Sequence, residues 1–150
     1  MLPTIVIRHR KENLQKCSLR GLENRNDFLF FTYPKEIIEI DFSSYILLTI
    51  DAPILQEGEN EKGFLLIDAT WKYAGKILGK YDTPKLEKKS LPPYFKTAYP
   101  RYQTGCSDPN RGLASIEALY IAFLLTKRPT NDLLVNYYWK DQFLKKNELF

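Results

Sequence analysis

The stretch Phe64-Leu65-Leu66-Ile67-Asp68-Ala69-Thr70-Trp71 constrains this chain more than any other. An unbroken apolar run closing on an acid reads as a strand buried on both faces that ends at Asp68. Beyond it Trp71, Ala74, Ile77 and Leu78 recur at helical spacing, which predicts a helix to about Leu78. Asp68 is expected to cap that helix, because its carboxylate can accept from the free N–H groups of a first turn. A strand that ends in an acid and turns straight into a helix sets polar atoms at the carboxyl edge of a sheet. That edge is where open α/β folds bind ligands.

The flanking segments supply neighbours for this strand. Thr4-Ile5-Val6-Ile7 is a short β-branched strand, followed by a polar, basic loop into a short helix with Ser18 as its N-cap. Phe28 to Phe31 reads as a strand, Ile37 to Ile40 as a weaker one, and Tyr45 to Ile50 as a buried one ending at Asp51. Residues 79–90 read as a lysine-rich exposed connection, and Pro92 and Pro93 exclude 91–95 from the interior of a ladder. Residues 98–112 carry Pro100, Gly105, Pro109 and Gly112; irregular stretches of that length in a compact domain are usually functional. A helix is expected from Leu113 to Lys127, stopped by Pro129. A last helix, capped by Thr130 or Asn131, is expected to turn Leu133, Leu134, Tyr137, Tyr138, Phe143 and Leu144 inward. Strands alternating with helices over 150 residues predict one α/β domain, 1–150, with a mostly parallel sheet.

Several function classes are disfavoured. No glycine-rich phosphate loop is present, and a single histidine, His9, expected as a solvated side chain, leaves no base for a Ser/His/Asp set. Cys17 and Cys106 fit no metal-ligand spacing and are too few for a disulfide framework, so no metal and a reduced, cytoplasmic compartment are expected. No cationic lead precedes the first apolar run, as a secretory signal would require. The longest apolar run, 118–125, is far short of the ~20 residues that span a bilayer. Net charge is +4 and unevenly spread. Arg8, Arg10, Lys11, Lys16, Arg20 and Arg25 cluster near the start, and Lys72, Lys76, Lys80, Lys85, Lys88 and Lys89 follow the central strand, with an acidic stretch between. Two basic segments suggest a side that faces a polyanion.

Taken in order, His9…Lys16-Cys17-Ser18, Asp68-x-x-Trp71, Leu91-Pro92, Ala98-x-Pro100-x-Tyr102, Leu113-x-x-x-Glu117-Ala118-Leu119-Tyr120-Ile121 and the tail from Tyr138-Trp139-Lys140 to Asn147 resemble the small-subunit ribosomal RNA aminocarboxypropyltransferases, relatives of the DTW-domain proteins that modify tRNA. The resemblance covers nearly the whole chain. It implies a fold like the SPOUT methyltransferases with a C-terminal trefoil knot, S-adenosylmethionine as cofactor, and transfer of its 3-amino-3-carboxypropyl group to N3 of a uridine or pseudouridine in RNA. Carried over by position, Ser18 would meet the cofactor carboxylate through its backbone, and Ile50 and Pro53 would lie under the adenine. Ile67 would offer its carbonyl to the ribose, while Trp71 and Leu91 would pack against or bond to the cofactor. Tyr102 with Leu113, Ala114 and Ser115 would close the other wall. The chain departs from the family's usual Asn-Pro-Val-Asn-Tyr-Gly at Tyr99-Pro100-Arg101-Tyr102-Gln103, and residues 105–112 are additional.

Removing the base proton calls for a proton acceptor, and Asp68 is the acid the motif sets there, with Glu117 as an alternative. Arg8, Arg10, Lys11, Lys16, Arg20 and Arg25 would hold phosphates, while a splayed base is read in the site. Two other classes compete: a SPOUT-like RNA methyltransferase, if the methyl rather than the aminocarboxypropyl carbon faces the base, and a non-catalytic RNA- or ribosome-binding module.

Overall fold

The computed structural model describes residues 2–10, 18–34, 41–50, 52–58, 61–69, 71–81, 84–99 and 113–149, with the backbone alone at Trp71 and Lys72. Its strands β1 (Thr4–His9), β2 (Phe28–Tyr33), β3 (Tyr45–Leu48), β4 (Gly63–Asp68) and β5 (Glu87–Lys89) form one sheet in the order β2-β1-β4-β3-β5. All the pairings between them are parallel. Helices α1 (Trp71–Tyr81), α2 (Ser115–Leu125) and α3 (Lys140–Lys146) follow. The α/β class and the parallel sheet expected from the sequence are both present, with β4 in the middle.

Side chains alternate across this sheet and both faces are covered, so the inner strands are apolar almost throughout. Val6, Phe28, Ile46, Leu48, Phe64 and Leu66 point to one side, where Ile116, Leu119, Ala122 and Phe123 of α2 and Phe143 of α3 pack on them. Ile5, Ile7, Tyr45, Leu47 and Leu65 point to the other, against Ile77 and Tyr81 of α1. Helix α2 buries Ile116, Glu117, Leu119, Ile121, Ala122 and Phe123, as expected of a helix apolar on every side.

Four local expectations change. β5 lies within the segment read as an exposed connection; Glu87, Lys88 and Lys89 carry no apolar signal because the strand is at the sheet edge, where charges discourage further pairing. The C-terminal stretch is helical only at Lys140–Lys146, and Tyr138, expected to turn inward, is 81% exposed. His9 is not a solvated side chain: it ends β1, is buried, and stacks on Tyr73 of α1 with ring centroids 3.9 Å apart. Helix α1 starts at Trp71, three residues beyond Asp68, which is too far for Asp68 to be its N-cap residue. Residue 70 and the weak strand at 37–40 lie outside the described residues, as do Asp51, Cys17 and Cys106.

Candidate active site

Because every strand runs the same way, all their carboxyl ends lie on one edge. Arg8 and Asp68 stand opposite each other in the β1–β4 register, near the ends of both strands, on the α2 side. Alternation dictates this: each is two residues beyond a core side chain, Val6 and Leu66. Arg8 Nε donates to Asp68 Oδ2 at 3.1 Å, and Arg8 Nη1 donates to Glu23 Oε2 at 3.0 Å. The guanidinium also lies 4.6 Å from the centre of the Phe30 ring on β2, a cation–π contact. Ser115, the first residue of α2, donates from Oγ to Asp68 Oδ1 at 3.4 Å, and Ser18 Oγ accepts from Ile116 N–H at 3.3 Å. Ser18 therefore caps α2 across the fold and not the short 3-10 turn at Leu22–Asn24 that follows it, whose N-cap is Gly21.

The 18–24 segment is held in place by its own geometry. Gly21 has φ +95°, a conformation that calls for glycine, and a Cβ there would also push the exposed Asn136 side chain aside. Its N–H donates to Glu23 Oε1 at 2.7 Å, leaving Oε2 for Arg8. Burial pushes the Glu23 carboxyl up, but bonds from its own N–H, from Arg8 and from Gly21 outweigh it and leave the carboxyl below its ordinary range.

One turn into α2, Glu117 is fully buried. Its Oε1 accepts from Thr97 Oγ1 at 2.6 Å and from Ala114 N–H at 2.8 Å; its Oε2 accepts from Ala98 N–H at 2.8 Å and from Tyr137 O–H at 2.9 Å. Four neutral donors fill both oxygens. The geometry assigns this acid to structure rather than to the proton acceptor considered for it.

On the other side of β4, the ends of β3 and β5 are joined by backbone. Thr49 N–H donates to Lys89 O, Ser90 N–H to Pro53 O and Leu55 N–H to Ser90 O, and Ser90 Oγ donates to Ala52 O. This ribbon sets Ile50 and Pro53 beside the start of the 90–95 segment, where Leu91 packs partly buried on the α2-side core. Ile50 is 59% exposed and Ile54 43%, so the ribbon shows apolar surface at the sheet edge.

Comparison with known proteins adds one result: no family model and no curated protein matches the chain. The fold has a solved counterpart. It is the SAM-dependent rRNA:acp-transferase Tsr3 from Vulcanisaeta distributa, matched with a TM-score of 0.67 and 20% identity over 99% of this chain and 80% of that one. At that identity the likeness to Tsr3 establishes the architecture, an α/β fold with a parallel sheet flanked by helices.

The edge brings together most of the residues singled out by sequence. Asp68, Ser18, Ala114 and Ser115 gather around the start of α2, with Leu113 half-buried just before it. Ile67 is half-buried and packs toward α1, while Ile50, Pro53 and Leu91 lie on the ribbon. Trp71 opens α1. Tyr102, Lys11 and Lys16 fall outside the described residues. The basic residues do not form one set. Arg10 and Arg20 are exposed, and Arg25 pairs with Asp27 at 2.8 Å. Arg8, expected to reach phosphate, is instead buried between two carboxylates because its place in β1 points it into the sheet. Sequence reading missed Glu23 and the structural use of Glu117. The signal was available for Arg8: two residues past a core valine in a doubly covered strand, an arginine needs a buried acid. Among the described residues no group of three or more His, Cys, Asp or Glu could hold a metal ion, and no helix is long and apolar enough to cross a membrane.

Proposed function

We propose that this protein is a cytoplasmic RNA-modifying transferase that uses S-adenosylmethionine to place a 3-amino-3-carboxypropyl group on N3 of a uridine or pseudouridine, in small-subunit ribosomal RNA before tRNA. The observation that carries the reading is convergence. Residues chosen on sequence resemblance, far apart in the chain, meet along one sheet edge in a fold like that of Tsr3. The SPOUT-like assignment and a C-terminal knot belong to the same proposal.

The residues suit the cofactor. Exposed Ile50 with Pro53 offers an apolar floor for an adenine ring, and the Ser18 turn beside the start of α2 offers polar groups for a carboxylate. Ile67, through its carbonyl, and Leu91 would line the space between, and Trp71, Tyr102 and Leu113 to Ser115 would complete its walls. When bound, S-adenosylmethionine supplies a sulfonium whose attached carbons are open to a nucleophile. The chain's part is to orient and to exclude water, and orientation of this kind can lower a barrier by roughly 7–11 kcal/mol at best. Asp68 holds Arg8 and Ser115 in place, and it is the carboxylate we assign to receiving the proton of the base. Arg10, Arg20 and Arg25, with Lys11 and Lys16, would contact phosphates, so binding of RNA should weaken steeply with salt.

Cofactor labelled on the aminocarboxypropyl group or on the methyl group tests the reading against its neighbour. The first label should pass to RNA and the second should not. Methyl label in RNA would make the protein a methyltransferase, and no binding of cofactor at millimolar concentration would leave an RNA-binding module.

A further inference from the structure

We infer that Glu117 is a positioning residue, a group that joins both ends of the 98–114 stretch and so sets Ser115 against Asp68. This rests on the reading of the carboxyl edge as a cofactor site. The argument begins with how residues 96–99 are held, because little of their anchoring comes from a sheet. Asn147 accepts from Lys96 N–H at 2.7 Å and donates to Lys96 O at 2.8 Å, and Lys146 Nζ donates to Thr97 O at 3.1 Å. Thr97 Oγ1 accepts from Tyr99 N–H at 3.0 Å while donating to Glu117. Side chains of α2 and α3 thus take the place of a neighbouring strand.

Glu117 alone among these groups reaches the far end of the stretch as well. Each of its oxygens takes one hydroxyl and one backbone N–H: Oε1 holds Thr97 and Ala114, Oε2 holds Tyr137 and Ala98. Ala114 is the residue before α2, so its N–H fixes where Ser115 enters the helix, and Ser115 Oγ lies on Asp68. Hydroxyls can rotate to donate or accept, but backbone N–H groups cannot. A carboxylate satisfies both backbone ends, whereas an amide offers an acceptor to only one. Glu117→Gln therefore frees either Ala98 N–H or Ala114 N–H, whichever way the amide turns.

Amide exchange of the full-length protein, read by NMR at Ala98 and Ala114, is combined with calorimetric titration of S-adenosylmethionine. In E117Q one of the two amides should exchange about tenfold faster or more, and cofactor affinity should fall by about tenfold. Tyr137→Phe removes a hydroxyl from the same carboxylate but neither backbone end, so it should leave both amides and the affinity unchanged while still lowering stability. Affinity lost equally in both variants would make Glu117 a core residue and no more. Both amides protected as in the wild type would overturn the clamp. A freed amide with unchanged cofactor affinity would overturn the positioning role. A wild-type chain that binds no cofactor would sink the transferase reading and the positioning role with it, while the exchange data still judge the clamp. If E117Q does not fold, the wild type decides: its Ala98 and Ala114 amides should both be strongly protected, and exchange of either at the rate of a solvent-exposed amide would overturn the clamp.

Discussion

Asp68 and Glu117 are both buried acids within reach of the start of α2, and they are held in opposite ways. Asp68 faces a guanidinium that also binds Glu23, and a serine hydroxyl. Glu117 faces four neutral donors, two of them backbone. A carboxylate satisfied by backbone N–H groups cannot change partners without moving the chain. One that ends a strand beside an arginine and a hydroxyl is bonded to side chains, which can turn without moving the chain. The comparison assigns Glu117 to architecture and leaves Asp68 as the acid we propose for chemistry, although both carry the same functional group.

The largest effect should come from removing the cation. Arg8→Met keeps an unbranched side chain over Phe30 but strips Asp68 and Glu23 of their shared partner. Breaking a buried pair by deleting one member costs about 3–5 kcal/mol, which urea unfolding would register as a lower midpoint. A loss below about 1 kcal/mol would mean that Asp68 is solvated rather than paired, and the contrast with Glu117 would lose one side.

The next effect sets the two acids side by side. Glu117→Gln leaves one buried N–H unbonded and should cost about 1–3 kcal/mol. In Asp68→Asn the amide oxygen can still accept from Arg8, and the amide nitrogen can donate to Ser115 Oγ, while Glu23 remains as counter-ion. It should cost about 1 kcal/mol and fold normally, yet transfer little if Asp68 receives the proton. Equal costs would erase the distinction, and full transfer by Asp68→Asn would reduce Asp68 to holding Arg8 and Ser115.

How much of this was legible in the sequence follows from which forces are local. Doubly buried strands announce themselves, so β1, β3 and β4 are readable as apolar runs, and β2, although an edge strand and only partly buried, is readable because it is apolar too. β5 is not, since an edge strand of Glu87, Lys88 and Lys89 draws on backbone pairing with β3 and not on burial. The site was legible where resemblance marked a position and where strand ends must share an edge. It was illegible where one side chain serves a distant backbone. Ser18 looks like a cap for the next turn, yet it caps α2, 98 residues on. Glu117 reads as an acid in the first turn of a helix, and only the fold shows that it gathers residues 97, 98, 114 and 137.

The smallest effect concerns Glu23, and it tests whether Arg8 belongs to one acid or two. Glu23 has its carboxyl lowered in the folded protein, by bonds that outweigh its partial burial. A group of this kind stabilises the fold above its unfolded value, about 4.3 for glutamate, and the stabilisation disappears as pH falls through the lower folded value. Asp27, lowered by its bonds with Arg25 against some burial, and Asp41, lowered by bonds from Ser43, act in the same direction, so acid unfolding of the wild type cannot isolate Glu23. Subtracting the curve of Glu23→Gln can. Glutamine keeps an acceptor for Gly21 N–H or for Arg8 but not for both, so it loses one of those bonds with the charge, and the side chain is about a third exposed, so solvent screens the pair. The wild type should be more stable near neutral pH by less than about 1 kcal/mol, and the gap should close as the pH drops below about 4. A gap that persists into acid would mean that Glu23 acts through shape and not charge. Arg8 would then be Asp68's partner alone, and the pairing at the sheet edge would be tighter than the two-acid arrangement implies.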